Sequence, residues 1–137
     1  MIERLLFAVV LAATTLGCGS GARASEAPAS APVIASERDI ARVLDDWHDA
    51  AARADEERYF ARFAPGGVFL GTDGAERWTV PAFRAYAHPH FARGKAWSFR
   101  ATRREITWRG DVAWFDEDLD TPNLGPARGT GVLVRDE

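Results

Sequence analysis

Apolar residues at Ile40, Val43, Leu44, Trp47, Ala51 and Ala54 recur at helical spacing with polar residues between them, and Ser36 stands ahead of Glu37, Arg38 and Asp39 as a cap. The spacing predicts a long first helix with one buried face. Asp55 opens a second, short helix as its N-cap, with Glu56 and Glu57 in the first turn, where the helix dipole favours negative charge. Tyr59, Phe60 and Phe63 form its apolar side, and Pro65-Gly66-Gly67 ends it. Val68 to Gly71 reads as a strand, Thr72-Asp73-Gly74 as a turn, and Trp78 lies on the returning chain. Thr79 caps a third helix with Pro81 in its first turn, Phe83 and Tyr86 on one side and Pro89 as its stop.

From Ala96 the pattern changes period. Long alternating runs, Ala96 to Trp108, Val112 to Asp120 and Ala127 to Val134, are separated by Arg109-Gly110-Asp111 and by a loop with Pro122 and Gly125. Helices first and an antiparallel meander after them predict an α+β domain. In the second long strand Phe115, Glu117 and Leu119 share one face, and Trp114, Asp116, Asp118 and Asp120 share the other.

Ahead of the domain, Arg4, an apolar stretch from Leu5 to Leu16 and then small residues have the layout of a secretory signal over residues 1–17. That stretch is shorter than the ~20 residues of a spanning helix, so export without a transmembrane domain is the expectation. Leu16-Gly17-Cys18 resembles a bacterial lipobox, and Ala22-Arg23-Ala24 offers an alternative cleavage site. We favour acylation of Cys18, the single cysteine, with residues 18–35 as a flexible tether rich in Ala, Ser, Gly and Pro. The product would be periplasmic and held at the membrane only through its lipid. The remaining stretch, 36–137, suits one domain of modest core. With 17 basic and 20 acidic residues interspersed and a net charge of -3, the chain lacks the basic field that nucleic acid requires. Five tryptophans and eight phenylalanines, in contrast, are enough to build a large apolar core or to line a pocket.

The order and wording of several segments carry a resemblance: Trp47-His48-Asp49-Ala50-Ala51, Asp55 through Phe63, Val68 through Asp73, Glu76-Arg77-Trp78, Phe91 through Trp97, Ala113 through Glu117, and Arg128 through Leu133. Over residues 37 to 135 the chain resembles the SnoaL-like branch of the nuclear transport factor 2-like superfamily. The resemblance implies a cone-shaped, cystatin-like fold. In it a curved antiparallel sheet wraps the long N-terminal helix around an apolar cavity. Similar members follow the Gly-Val-Leu-Val strand with a last strand containing tryptophan, whereas this sequence stops at Arg135-Asp136-Glu137. A missing last strand is therefore expected, and with it an uncovered sheet edge that favours partner pairing.

Enzymes of that superfamily, such as steroid isomerases, polyketide cyclases and scytalone dehydratase, place acid/base side chains in the cone, where burial tunes a carboxyl for moving protons. None of their motifs maps here residue for residue. Spacing offers two candidates instead. His48 and Asp55, seven apart, form a possible His–carboxylate pair, set against Asp55 as a plain helix cap. Glu117, between two apolar residues on one strand face, is the best candidate for a buried general acid or base, set against a cross-strand pairing with Arg103 or Arg128. Asp73 and Glu76 read as turn formers. His88-Pro89-His90 lacks a third convergent ligand, so no metal is expected, and no motif implies a cofactor.

The sequence thus favours an exported module that holds a small apolar or amphipathic molecule in a pocket of Trp47, Tyr59, Phe63, Phe69, Trp78, Trp97 and Phe99. An isomerase, cyclase or dehydratase using Glu117, His48 or Asp55 is the second reading. A homodimer through the outer sheet face, with Trp114 or Trp108 in the contact, is the third.

Overall fold

The computed structural model describes residues 36–136 except Asn123, so the leader, Cys18 and the tether lie outside the described residues. Helix α1 spans Glu37–Ala52 and starts with a reciprocal cap, the Ser36 hydroxyl accepting from the Asp39 N–H while the Asp39 carboxylate accepts from the Ser36 N–H. Its buried face runs Ile40, Leu44, His48 and Ala51, so one imidazole sits in an otherwise apolar stripe. The helix closes with Ala54 in the left-handed conformation at φ 56°, bonded through Ala54 N–H to Ala51 O and Asp55 N–H to Ala50 O. That leaves Ala54 outside the helix expected from its periodicity.

Asp55 caps α2, Glu56–Phe60, by accepting the Arg58 N–H. Strands β1, Val68–Leu70, and β2, Arg77–Thr79, form an antiparallel hairpin in which Phe69 faces Trp78. Thr79 caps α3, Val80–Ala92. This helix runs through Pro89 rather than stopping there. The carbonyl that Pro89 deprives of a partner belongs to Ala85, both residues are exposed to water, and Phe91 beyond them is buried in the core. The actual stop is Gly94, at φ 68°, with Gly94 N–H on Phe91 O and Lys95 N–H on His90 O.

Strands β3, Arg100–Arg109, β4, Val112–Asp120, and β5, Ala127–Val134, make an antiparallel sheet in the order β3-β4-β5. β3 begins four residues later than the alternation from Ala96 suggests, because β4 ends at Asp120 opposite Arg100, and Ala96 and Trp97 pack against the helices instead. The register slips between Ala101 and Arg103, making Thr102 an extra residue on β3, after which Arg104 faces Glu117, Ile106 faces Phe115 and Trp108 faces Ala113. Those residues form the inner side of the sheet. Trp108 therefore does not belong to the outer face, contrary to the expectation from sequence.

Two cores result. Ile40 and Leu44 of α1 pack on Ala113 and Phe115, with Ile106 and Leu133 beside them. Ala50, Ala51, Tyr59, Phe60, Phe83, Ala87 and Phe91 form the second, among the three helices, the small hairpin and Trp97. β5 contributes glycines to the inner face for a steric reason. A Cβ on Gly131 would stand 2.8 Å from the Phe115 ring, and one on Gly129 would stand 3.3 Å from Glu117 Oε2.

Candidate functional site

At the seam between α1 and the sheet the stripe position His48 meets Glu117 of β4, with imidazole Nε2 2.8 Å from Oε2. Glu117 is fully buried. Its second oxygen accepts from Arg104 Nε at 2.5 Å. Arg104 also donates from Nη1 to the Ala41 carbonyl at 3.1 Å, and its Nη2 lies 2.8 Å from Asp45 Oδ1, an ion-pair contact not aligned as a hydrogen bond. One guanidinium thus ties two points of α1 to a buried carboxylate on the sheet.

Burial alone pushes the Glu117 carboxyl up, but the hydrogen bonds and charge of His48, then of Arg104, outweigh it and hold the group below its ordinary value. Glu117 is consequently an ionised acceptor with both oxygens engaged. The pairing expected for it did occur, with a different arginine. The extra residue at Thr102 reverses which β3 side chains face inward, so Arg103 turns outward to Asp118 and Asp116, and Arg128 reaches Asp118 at 3.5 Å.

The proposed His48–Asp55 pair does not form. Helix α1 ends before Asp55, whose carboxylate is taken up by the cap of α2 while His48 turns to Glu117. Asp73 and Glu76 fold back on their own turn, Asp73 accepting from Ala75 N–H at 2.8 Å. His88 pairs with Glu56 at 2.7 Å and His90 lies beside Arg93, so the two histidines face different partners. Among the described residues no group of three His, Cys, Asp or Glu converges as a metal site.

Next to His48 lies an open hollow of about 310 Å³, walled by Asp45, His48, Asp49 and Ala52 on one side and Phe99, Arg100 and Ala101 on the other. Of the seven aromatic residues expected to line a pocket, Phe99 alone borders this hollow. The others pack on one another. Tyr59 is 2% exposed, stacks on Trp47 and accepts a hydrogen bond from Trp97. Phe69 stacks on Phe83 with centroids 3.9 Å apart, Phe63 lies edge-on to Trp47, and Trp78 leans on Tyr86. These rings are half-buried or buried core, filling the space that sequence reading assigned to a cavity. A second groove, about 270 Å³, opens between the start of α1 and the β3–β4 turn, with Ile40, Val43, Trp108 and Leu133 in its walls.

Comparison with known proteins decides the family, because a family model for the SnoaL-like domain matches residues 40–137. The chain belongs to the SnoaL-like domain family. Among solved structures, this SnoaL-like domain is similar to a candidate dehydratase of the NTF2-like family from Streptomyces avermitilis, at 16% identity and TM-score 0.55 over 70% of this chain and 83% of that one. It is similar to a candidate calcium/calmodulin-dependent protein kinase II association domain from Xanthomonas campestris, at 20% identity and TM-score 0.53 over 80% and 84%. A Nostoc punctiforme protein of unknown function with a cystatin-like fold gives 19% identity and TM-score 0.51 over 71% and 77%. At such identities the likeness is one of fold. No curated protein matches the chain. The SnoaL-like domain is thus α+β with an NTF2-like, cystatin-like fold, and its chemistry has to be argued from its own residues.

Residues that sequence reading missed are Arg104, Asp45 and the two inward glycines of β5. The glycines had a signal, since Gly129 and Gly131 alternate along a strand and so mark close approach. Asp45 and Arg104 had none.

Proposed function

We propose that this SnoaL-like domain is an exported module, anchored through Cys18, that holds a small amphipathic molecule in the hollow beside His48 and does not use Glu117 as an acid or base. One observation carries this reading: Glu117 has both oxygens occupied, by His48 at 2.8 Å and by Arg104 at 2.5 Å. A general acid or base must exchange a proton with its substrate, and a carboxylate fixed in its ionised form by two cationic or donor neighbours is poorly matched to that task. The concave surface with mixed walls, Phe99 and Ala101 against Asp45 and His48, suits reversible binding.

The isomerase, cyclase or dehydratase reading survives in altered form. The 2.8 Å contact favours it with His48 moving the proton and Glu117 orienting the ring. A sheet-mediated homodimer is supported by the outward Trp114, 46% exposed, beside Val132 and Val134.

The test is amide-shift mapping on the full chain with a set of small amphipathic fragments. The binding reading expects perturbations clustered on His48, Ala52, Phe99 and Ala101, with no consumption of the compound. Perturbations that avoid those residues would remove it, and turnover that disappears in His48→Gln would replace it with the enzyme reading.

A further inference from the structure

We infer that strand β5 pairs edge to edge with β5 of a second copy of this chain, antiparallel and centred on Val132. The contact lies at the margin of the sheet away from the hollow, does not depend on the proposed ligand site, and is distinct from packing through the outer face at Trp114. In the order β3-β4-β5 both outer strands present an edge, and only one of them is blunted. β3 carries the extra residue Thr102 and the charges of Arg100, Arg103, Arg104 and Glu105. β5 keeps one unbroken register with β4 from Ala127 to Val134 and contains no proline. Arg135 N–H donates to the Asp111 carbonyl at 2.9 Å, so the odd-numbered residues of β5 turn their backbone groups towards β4. Arg128, Thr130, Val132 and Val134 turn theirs the other way, to a side where no strand of the described sheet follows.

The side chains select both the partner and the register. With Val132 on a two-fold axis, Val134 of one copy stands opposite Thr130 of the other, and Asp136 stands opposite Arg128. Arg128 and Asp136 are both exposed, and Arg128 reaches Asp118 of its own sheet only at 3.5 Å, so opposite charges meet across the join. Sliding the second copy by two residues sets Arg128 against Val134 or Asp136 against Thr130, and the match is lost. A slide of one residue sets outward backbone groups against inward ones. Val132, 70% exposed, and Trp114 beside it form an apolar ladder on the outer face, which the same two residues of the second copy continue. On the inner face Leu133 comes opposite Gly131, a large side chain against a bare backbone. Three spacings of about 4.8 Å hold the two β4 strands about 14 Å apart. Each α1 packs on its own β4 and is about 10 Å across, so the helices lie side by side without collision.

The experiment follows the mass of the full chain by sedimentation from micromolar to near-millimolar concentration, together with amide hydrogen exchange. A dimer should form, and the amides of Thr130, Val132 and Val134 should slow as it does. Arg128→Asp and Asp136→Arg each place like charges opposite one another and should weaken the dimer about tenfold, while the two substitutions together should restore it. Both side chains are exposed and outside either core, so the fold is spared. Failure of the double variant to restore the dimer would overturn the register. A chain that stays monomeric throughout would overturn the whole inference and leave the edge to a different protein. So would a dimer whose three amides exchange at the monomer's rate, or one that is lost in Trp114→Lys and indifferent to the charge swaps, since that assembly is packed through its faces.

Discussion

Two faces of α1 are buried by different means. Towards its C-terminus Trp47, Ala50 and Ala51 meet a cluster in which Tyr59 touches six other rings at centroid distances from 5.1 to 6.3 Å. Closer to the sheet, His48, Asp45 and the Ala41 carbonyl meet Glu117 and Arg104 through a short chain of directed polar contacts. Aromatic packing is redundant and indifferent to pH, since it rests on area and dispersion. An ionic seam is serial: removing one member leaves another charge buried and unmatched. A domain that keeps such a seam next to a hollow, with its apolar mass elsewhere, can vary the chemistry of that hollow without dissolving its core.

Three substitutions break this contrast, in descending size. Tyr59→Ala empties the centre of the ring cluster and should cost about 3–5 kcal/mol, a loss that urea melts of the full chain would find unchanged between neutral and acid pH. Arg104→Ala should cost about 3 kcal/mol at neutral pH, because Glu117 keeps its burial and loses one of its two partners. Here pH matters, and the sign follows from the depressed carboxyl. Glu117 stabilises the fold above its unfolded value near 4.5, and that contribution is lost as pH falls through its lower folded value. The deficit of Arg104→Ala against the parent should therefore shrink as acid protonates Glu117, which happens at higher pH in the variant because the carboxyl has lost one of the two partners that hold it down. A deficit that stays constant in acid would mean the seam is held by packing. Ala54→Gly is the smallest and has the opposite sign. It relieves the left-handed strain at φ 56°, offset by the freedom glycine has in the unfolded chain, for a gain of about 0.5 kcal/mol in the same melts.

Most of the fold was legible because its signals are local. The caps at Ser36, Asp55 and Thr79 are side chains acting three residues away, and β4 and β5 have the bounds their alternation predicts. Pro89 misled because its rule concerns a carbonyl, and whether water can reach that carbonyl is a tertiary fact. The site was legible by halves. Face arithmetic on β4 isolates Glu117 between Phe115 and Leu119, and the stripe of α1 contains His48. That these two meet, 69 positions apart, is set by how the helix lies on the sheet. Arg104 was hidden by a single unpaired residue, since counting in twos from Ala101 reaches Arg103. The aromatic residues were correctly counted as buried area, but composition does not distinguish rings that line a space from rings that fill it.

That unpaired residue, Thr102, divides β3 into two lengths that keep separate count. Its hydroxyl donates to the Asp118 carbonyl at 3.1 Å, pinning the join. On one side lies the wall of the hollow, Phe99 to Ala101; on the other, Arg104 and the seam. Strands normally transmit any insertion along their whole length by swapping inside for outside. A join of this kind absorbs it. Chain added or removed ahead of Ala101 would re-aim the wall while Arg104 stays on its carboxylate, so the two lengths of β3 can change independently.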